Sequence, residues 1–243
     1  MKIITLNTWG NSGPYQERWN FLLEELKTYH PDILFLQEVF EPTLAKKIKE
    51  SFSYPYLLSS YEAGLAIISR SPIFKNQTLK YKAISPSEQQ DRQALLVEFK
   101  LKGEKILAVN THLSWRIEDK LIRLEQVQEL LQTIANKGYR ALLAGDFNDV
   151  RGSSPIDEIE KADYIDLCNL VHPKKKLFTW NNQNPFIQTH SVKFPDRQID
   201  FLFLHRKLMT SNRVKSCEII FNRPNQNGIY PSDHYGILTE IEF

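Results

Sequence analysis

The residues with chemical potential in this chain sit where apolar runs stop. "LNTW" delivers Asn7, "LQEV" delivers Glu38, and "VNTHLS" delivers Asn110 and His112. "GDFN" delivers Asp146 and Asn148, "RQIDFLF" opens on Asp200, and "PSDHYG" carries Asp233 and His234. Taken singly, each has a plain structural explanation. An Asn after a strand is usually a turn residue, and "DFND" (146–149) reads equally well as a helix N-cap. Asp200 inside an apolar run is harder to dismiss, because a buried carboxylate needs a partner. His112 and His234 are the candidates. Taken jointly, Glu38, Asp146, Asn148 and Asp233 are hard oxygen donors. Magnesium- or manganese-type ions take such donors together with water and phosphate oxygens. Two histidines and a buried aspartate add acid–base capacity near neutral pH.

These groups need elements to position them. Lys2–Asn7, 32–39 and 64–69 read as buried strands. Gln16–Tyr29 carries Trp19, Leu22, Leu23 and Leu26 at helical spacing and stops at His30-Pro31. Pro42–Ser51 reads as a short helix. Residues 93–101 and 104–110 flank Lys102-Gly103 as a hairpin. Glu118–Ala135 is the longest predicted helix, with Leu121, Leu124, Val127, Leu131 and Ile134 as its apolar stripe. Arg140–Ala144, Ile199–Leu204, Val214–Ile220 and Gly236–Phe243 complete the strands. Hairpins mixed with crossovers predict an α/β protein: two mixed sheets face to face with helices outside.

Bulk properties narrow the class. The 243 residues are 42% hydrophobic and 25% charged with a net charge of +2, as in an ordinary globular chain. Without repeats or a Pro/Gly/Ser-rich linker, 1–243 is expected to be one domain and a monomer. The charge neither demands nor forbids a nucleic-acid partner. Two cysteines, Cys168 and Cys217, are too few for a disulfide framework and are expected as free thiols. No run of 18 apolar residues or signal peptide is seen, so a cytoplasmic location is expected, with signal-independent secretion left open. Cys–His zinc spacing, a Walker loop and a GxSxG elbow are all missing.

The ordered set "LNTW", "LQEV", "NTHL", "GDFN", "RQIDFLF" and "SDHYG" resembles the endonuclease/exonuclease/phosphatase superfamily from residue 5 to residue 236. The resemblance implies a four-layer, DNase-I-like α/β sandwich with its site where strand ends of both sheets converge. It implies a hydrolase that cleaves a phosphodiester by metal-assisted attack of water. Magnesium is the expected cofactor, with manganese as the substitute. Glu38 would bind the metal, with Asn7 beside it as ligand or phosphate contact and Asp233 completing the acidic cluster. Asp146 would orient or deprotonate the water, and Asn148 would hold phosphate or metal. Asp200 would fix His234, which contacts a non-bridging oxygen or acts as base. His112 would stabilise the transition state or protonate the leaving oxygen.

For the substrate, "LQEVFEP", "GLAIISRSPI" and the Thr179, Trp180, Asn184, Pro185 stretch are similar to the neutral-sphingomyelinase-like branch. This implies a lipid headgroup ester, with Trp180 and Arg197 contacting substrate. Basic residues interleaved with aromatics (Lys174–Lys176, Lys193, Arg197, Arg213 and Arg223 with Trp115, Trp180 and Phe186) suit nucleic acid instead. A non-catalytic binding or scaffold relative is the alternative to an enzyme. Glu62 is read either as the group orienting His112 or as a loop residue. Arg92 is read as a surface residue rather than a phosphate contact. Trp9 and Trp115 are read as walls of the site or as structural residues.

Overall fold

The strand ends converge because the chain builds the same arrangement twice. The structure, a computed structural model, describes residues 1–101, 104–209 and 213–242. In chain order the first half is β1 (Lys2–Asn7), α1 (Tyr15–Tyr29), β2 (Ile33–Gln37), α2 (Pro42–Ser51), β3 (Tyr56–Ser60) and β4 (Leu65–Ser69). Next come β5 (Lys75–Lys80), β6 (Gln93–Leu101), β7 (Glu104–His112), α3 (Lys120–Asn136) and β8 (Ala141–Asp146). The remainder is α4 (Ser154–Lys161), β9 (Tyr164–Asp166), α5 (Leu167–Val171), β10 (Asp200–His205), β11 (Val214–Ile220) and β12 (Gly236–Ile241). The expected turn at 102–103 lies outside the described residues.

One sheet runs β11-β12-β1-β2-β4-β3 and the other β5-β6-β7-β8-β10-β9. Each holds one parallel pair, β1–β2 and β7–β8, at its middle. The four strands of these pairs carry Asn7, Glu38, His112 and Asp146 at or just past their carboxyl ends. Apolar runs without alternation follow from burial on both faces. Ile3, Phe35, Ile67, Val97, Ala108, Leu142 and Leu204 pack between the sheets. Ile4, Leu34 and Ile68 face Trp19, Leu22 and Ile48 of α1 and α2 on one outer side. Leu143, Phe147 and Phe203 face Val127, Leu130 and Ile159 of α3 and α4 on the other. The predicted four-layer α/β sandwich is the observed fold. Among the described residues, no helix is long and apolar enough to cross a membrane.

Two polar residues rivet the sheets together inside the apolar layer. Gln37 donates to Asn110 Oδ1 at 2.7 Å, and Asn110 donates to the Leu36 and Ala66 carbonyls at 2.9 Å each. Asn110 therefore belongs to the core rather than to the site. Gly145, just ahead of Asp146, has φ +144°, and a Cβ there would lie 1.9 Å from the Thr111 carbonyl oxygen. Only glycine lets β8 approach β7 that closely.

Two expectations need correction. The inner face of α3 is rotated from the predicted stripe: Leu121 is 70% exposed, whereas Arg123 and Gln126 are buried. Polar groups take the inner face because they tie loops. Arg123 pairs with Asp149 at 2.9 Å, and Gln126 holds Ser114. Cys168 of α5 and Cys217 of β11 are not free thiols but a disulfide. Their separation of 49 residues gave no pairing signal; packing of α5 against the edge strand β11 brings them together. Closing a loop of that length stabilises by about 3 kcal/mol. Replacing both cysteines by Ala should lower the urea midpoint accordingly. An unchanged midpoint would mean that the bond carries no stability.

Candidate active site

Register builds the site before any side chain is considered. On the second sheet His112 lies opposite Asp146 across the parallel pair, and Asp200 lies opposite Asp146 across the antiparallel pair. Three chemical groups thus stand in a row at one sheet edge. On the first sheet Asn7 pairs with Gln37, which sets Glu38 one residue beyond. Trp9, Glu38 and Asn148 all adopt positive φ, at 56°, 58° and 51°. The chain thus turns left-handed just after β1, β2 and β8. Such conformations are costly for these residues and recur at functional sites.

Side chains then join the two sheets. Asn7 Nδ2 donates to Glu38 Oε1 and to Asp146 Oδ2, each at 3.0 Å. The two carboxylates therefore lie within about 6 Å of each other. Asn7 Oδ1 accepts from the Trp9 N–H, which turns the oxygen away from the carboxylates. Asn7 acts here as a bridge rather than an oxygen donor. Asp146 Oδ2 is 3.4 Å from His112 Nε2 and 3.9 Å from His234 Nε2. Asp146 Oδ1 accepts from the Asn148 N–H at 2.9 Å, while Asn148 Nδ2 donates to the Leu113 carbonyl. Asp200 chooses His234: its Oδ2 is 2.9 Å from Nδ1. Asp233 Oδ1 accepts from the Ser232 hydroxyl and the His234 N–H, and Asp233 Oδ2 sits 2.8 Å from His190 Nε2.

Burial sets the protonation states. It pushes the Asp146 carboxyl up to about 7, with Asp200 adding and His234 opposing. Burial, then Asp233, pushes Glu38 up against the pull of Asn7. It holds His112 well below the usual imidazole range, helped by Arg92 and His234. Burial also disfavours charge on His234, but Asp200, Asp233 and Asp146 outweigh it and lift that group to about 10. One histidine is neutral and the other cationic, because only one faces three carboxylates.

These groups line a cleft of about 360 Å³. Trp180 packs edge-on to His234, with ring centroids 5.1 Å apart, and lies 5.0 Å from His190. Trp9 meets Phe186 at 5.0 Å. The Arg197 guanidinium lies over Phe194 and Trp180, and burial draws its pKa down to about 10. Trp9 and Trp115 also line the cleft, whereas Lys174–Lys176 and Glu62 do not. Glu62 is bound by Gln93 and Lys80, so it does not orient His112.

Three lining or supporting residues escaped the sequence reading. Arg92 is not a surface residue; it is 7% exposed and lines the cleft. His190 gave no signal because no strand precedes it. Arg18 lies in the first turn of α1, where a surface arginine would be ordinary. Its fully buried guanidinium instead donates to the carbonyls of Thr8, Gly10, Ser12 and Pro231.

The donor set fits a hard cation. Glu38 Oε1 is held by Asn7, and among the described residues nothing donates to its other oxygen. Carboxylates crowd within a few ångströms without a lysine or arginine paired to them, which is the arrangement a divalent ion relieves. Asp146, Asp200 and His234 also bring ligand atoms within 4.8 Å of one another. There His234 Nδ1 is already engaged by Asp200, and a doubly protonated imidazole offers no lone pair. Glu38 is the better anchor.

Residues 4–234 match the Endonuclease/Exonuclease/phosphatase family. Tyrosyl-DNA phosphodiesterase 2 of Homo sapiens is 24% identical, across 99% of this chain and 68% of its own length. Nocturnin of Rattus norvegicus is 24% identical, across 94% of this chain and 59% of its own length. The chain thus spans about three fifths to two thirds of these relatives. Among solved structures, D. rerio TDP2 complexed with single strand DNA product superposes with a TM-score of 0.80 at 22% identity, covering 100% of this chain and 99% of that one. SmcL superposes with a TM-score of 0.82 at 16% identity, covering 100% and 99%. At these identities the superpositions establish the fold.

Proposed function

Because the chain belongs to the endonuclease/exonuclease/phosphatase family, we propose that residues 1–243 form one catalytic unit that hydrolyses a phosphodiester with a divalent cation, magnesium or manganese. One observation carries this reading. Glu38 and Asn7 from one sheet meet Asp146, His112 and Asp200 from the other, through a single carboxamide that touches both carboxylates. No stabilising role requires two strained strand ends to present acids to a common cleft.

Glu38 would hold the cation, with Asp233 behind it. When bound, the ion neutralises charge on the phosphate and lowers the pKa of its water. Asp146 takes the proton of the attacking water, and a carboxyl poised near 7 suits a base at neutral pH. The water oxygen bonds to phosphorus, the bond to the leaving oxygen breaks, and a phosphomonoester and an alcohol result. His234, cationic and fixed through Nδ1 by Asp200, donates from Nε2 to a non-bridging oxygen as charge gathers there. Neutral His112 keeps one N–H to offer to the five-coordinate phosphorus centre. Asn148 holds the loop that carries Asp146.

The aromatic walls made by Trp9, Phe186, Trp180 and Phe194 favour esters carrying planar groups. DNA appears in the names of the relatives, so a nucleic-acid strand is the favoured substrate. A phospholipid or sphingolipid headgroup ester is the competing arm. Bis(p-nitrophenyl) phosphate should be cleaved with magnesium or manganese, and chelation should reduce turnover to background. Turnover that survives EDTA would defeat the metal role. No turnover with either metal would leave a binding or scaffold relative. Single-stranded DNA, RNA and sphingomyelin, compared under the same conditions, assign the substrate class.

A further inference from the structure

Arg92 lies one residue before β6 in the loop that follows β5. Its Nε donates to Glu88 Oε2 at 2.7 Å, and the two side chains are 7% and 2% exposed. Glu88 Oε1 in turn accepts from the Trp115 N–H at 2.6 Å. Arg116 Nη2 reaches the Ser87 carbonyl at 3.2 Å. Two loops are thereby zipped together along one wall of the cleft, and the guanidinium is clamped from one side only. Arg92 Nη1 is buried and has no hydrogen-bond partner, and His112 Nδ1 beside it has none either. An unsatisfied buried donor on a charged group is expensive. It persists where a ligand supplies the acceptor.

The identity of that acceptor follows from charge and place. Arg92 lines the same cleft as Glu38, His112 and Asp146. Its charge acts on both Glu38 and His112. Glu88 engages Nε alone, so the outer edge of the fork still faces the cleft. A planar fork with free N–H groups matches tetrahedral oxyanions.

We propose that Arg92, braced by Glu88, is a phosphate-gripping residue whose unpartnered Nη1 takes a non-bridging oxygen of the phosphate bound beside His112 and Glu38. Glu88 is the positioning residue: it fixes the guanidinium plane and draws the Trp115 loop against it. This rests on the phosphodiester reading above, but it makes a separate claim about binding.

The test uses the full chain, inorganic phosphate as the probe, and magnesium. Arg92→Gln should weaken phosphate binding, read by calorimetry, roughly tenfold or more. The same variant should raise KM for bis(p-nitrophenyl) phosphate more than it lowers kcat. Glu88→Gln should give a smaller loss of the same kind. Phosphate affinity within twofold of wild type in a folded Arg92→Gln protein overturns the proposal and leaves hydrolysis standing. Phosphate binding that depends on Arg92 in a wild-type protein without turnover keeps the grip and sinks the hydrolytic reading. If Arg92→Gln fails to fold, the Arg92 Nε–H resonance of the wild-type protein, assigned from Arg92→Lys, decides. It should shift on phosphate titration, and an unmoved resonance refutes the grip.

Discussion

Asp146→Asn should lower kcat by about a thousandfold while leaving the fold intact. The amide keeps the shape of the carboxyl and an oxygen for the Asn148 N–H and Asn7 Nδ2. What it loses is the capacity to take a proton. Asp146 is buried beside Asp200, so neutralising it relieves a repulsion rather than breaking a needed ion pair. The thermal midpoint should therefore hold or rise, which separates a catalytic loss from a structural one. KM should change little, because the ground state does not use the base. Near-wild-type turnover in Asp146→Asn would remove Asp146 from the chemistry.

The second large effect is on stability. Arg18→Met should cost roughly 3–5 kcal/mol in urea unfolding. The guanidinium is fully buried, stacks 4.8 Å from the Trp9 ring and satisfies backbone carbonyls in two separate segments. A methionine fills the space and satisfies none of them. Because one segment carries Asn7 and Trp9 and the other leads into Asp233 and His234, the loss should reach the cleft as well. The metal concentration for half-maximal turnover should rise. Arg18→Lys, with one compact ammonium in place of a fork, should recover less than half of the stability. A change below about 1 kcal/mol would mean that these carbonyls find water without difficulty.

Much of this was legible before any coordinates. Doubly buried strands announce themselves as unbroken apolar runs, so β1, β2, β4, β6, β7 and β8 were readable within a residue or two at most ends. Polar groups ending such runs were readable because strand ends of both sheets share one edge. Illegible elements are those whose sequences answer to neighbours. β5, "KNQTLK", is an edge strand that is mostly exposed, so it carries no apolar signal. β9 and α5 are too short for periodicity. Leu121 and Arg123 trade places against expectation because two loops need tying, a demand that lies outside the helix itself. Arg18 and Arg92 look like surface residues until loops distant in sequence close over them. The pairing of Cys168 with Cys217 depended on an edge contact that neither cysteine announces.

Glu38 and Asn7 hang from one sheet, and Asp146, His112 and Asp200 from the other. Phe35, Val97 and Leu204 fill the layer between them. That layer is a caliper whose jaws are the reacting groups. Trimming Phe35 to Leu would change the jaw gap from deep inside the molecule, with no polar residue altered. Hydrostatic compression would close the same gap, so rate should respond to interior volume well before the chain unfolds.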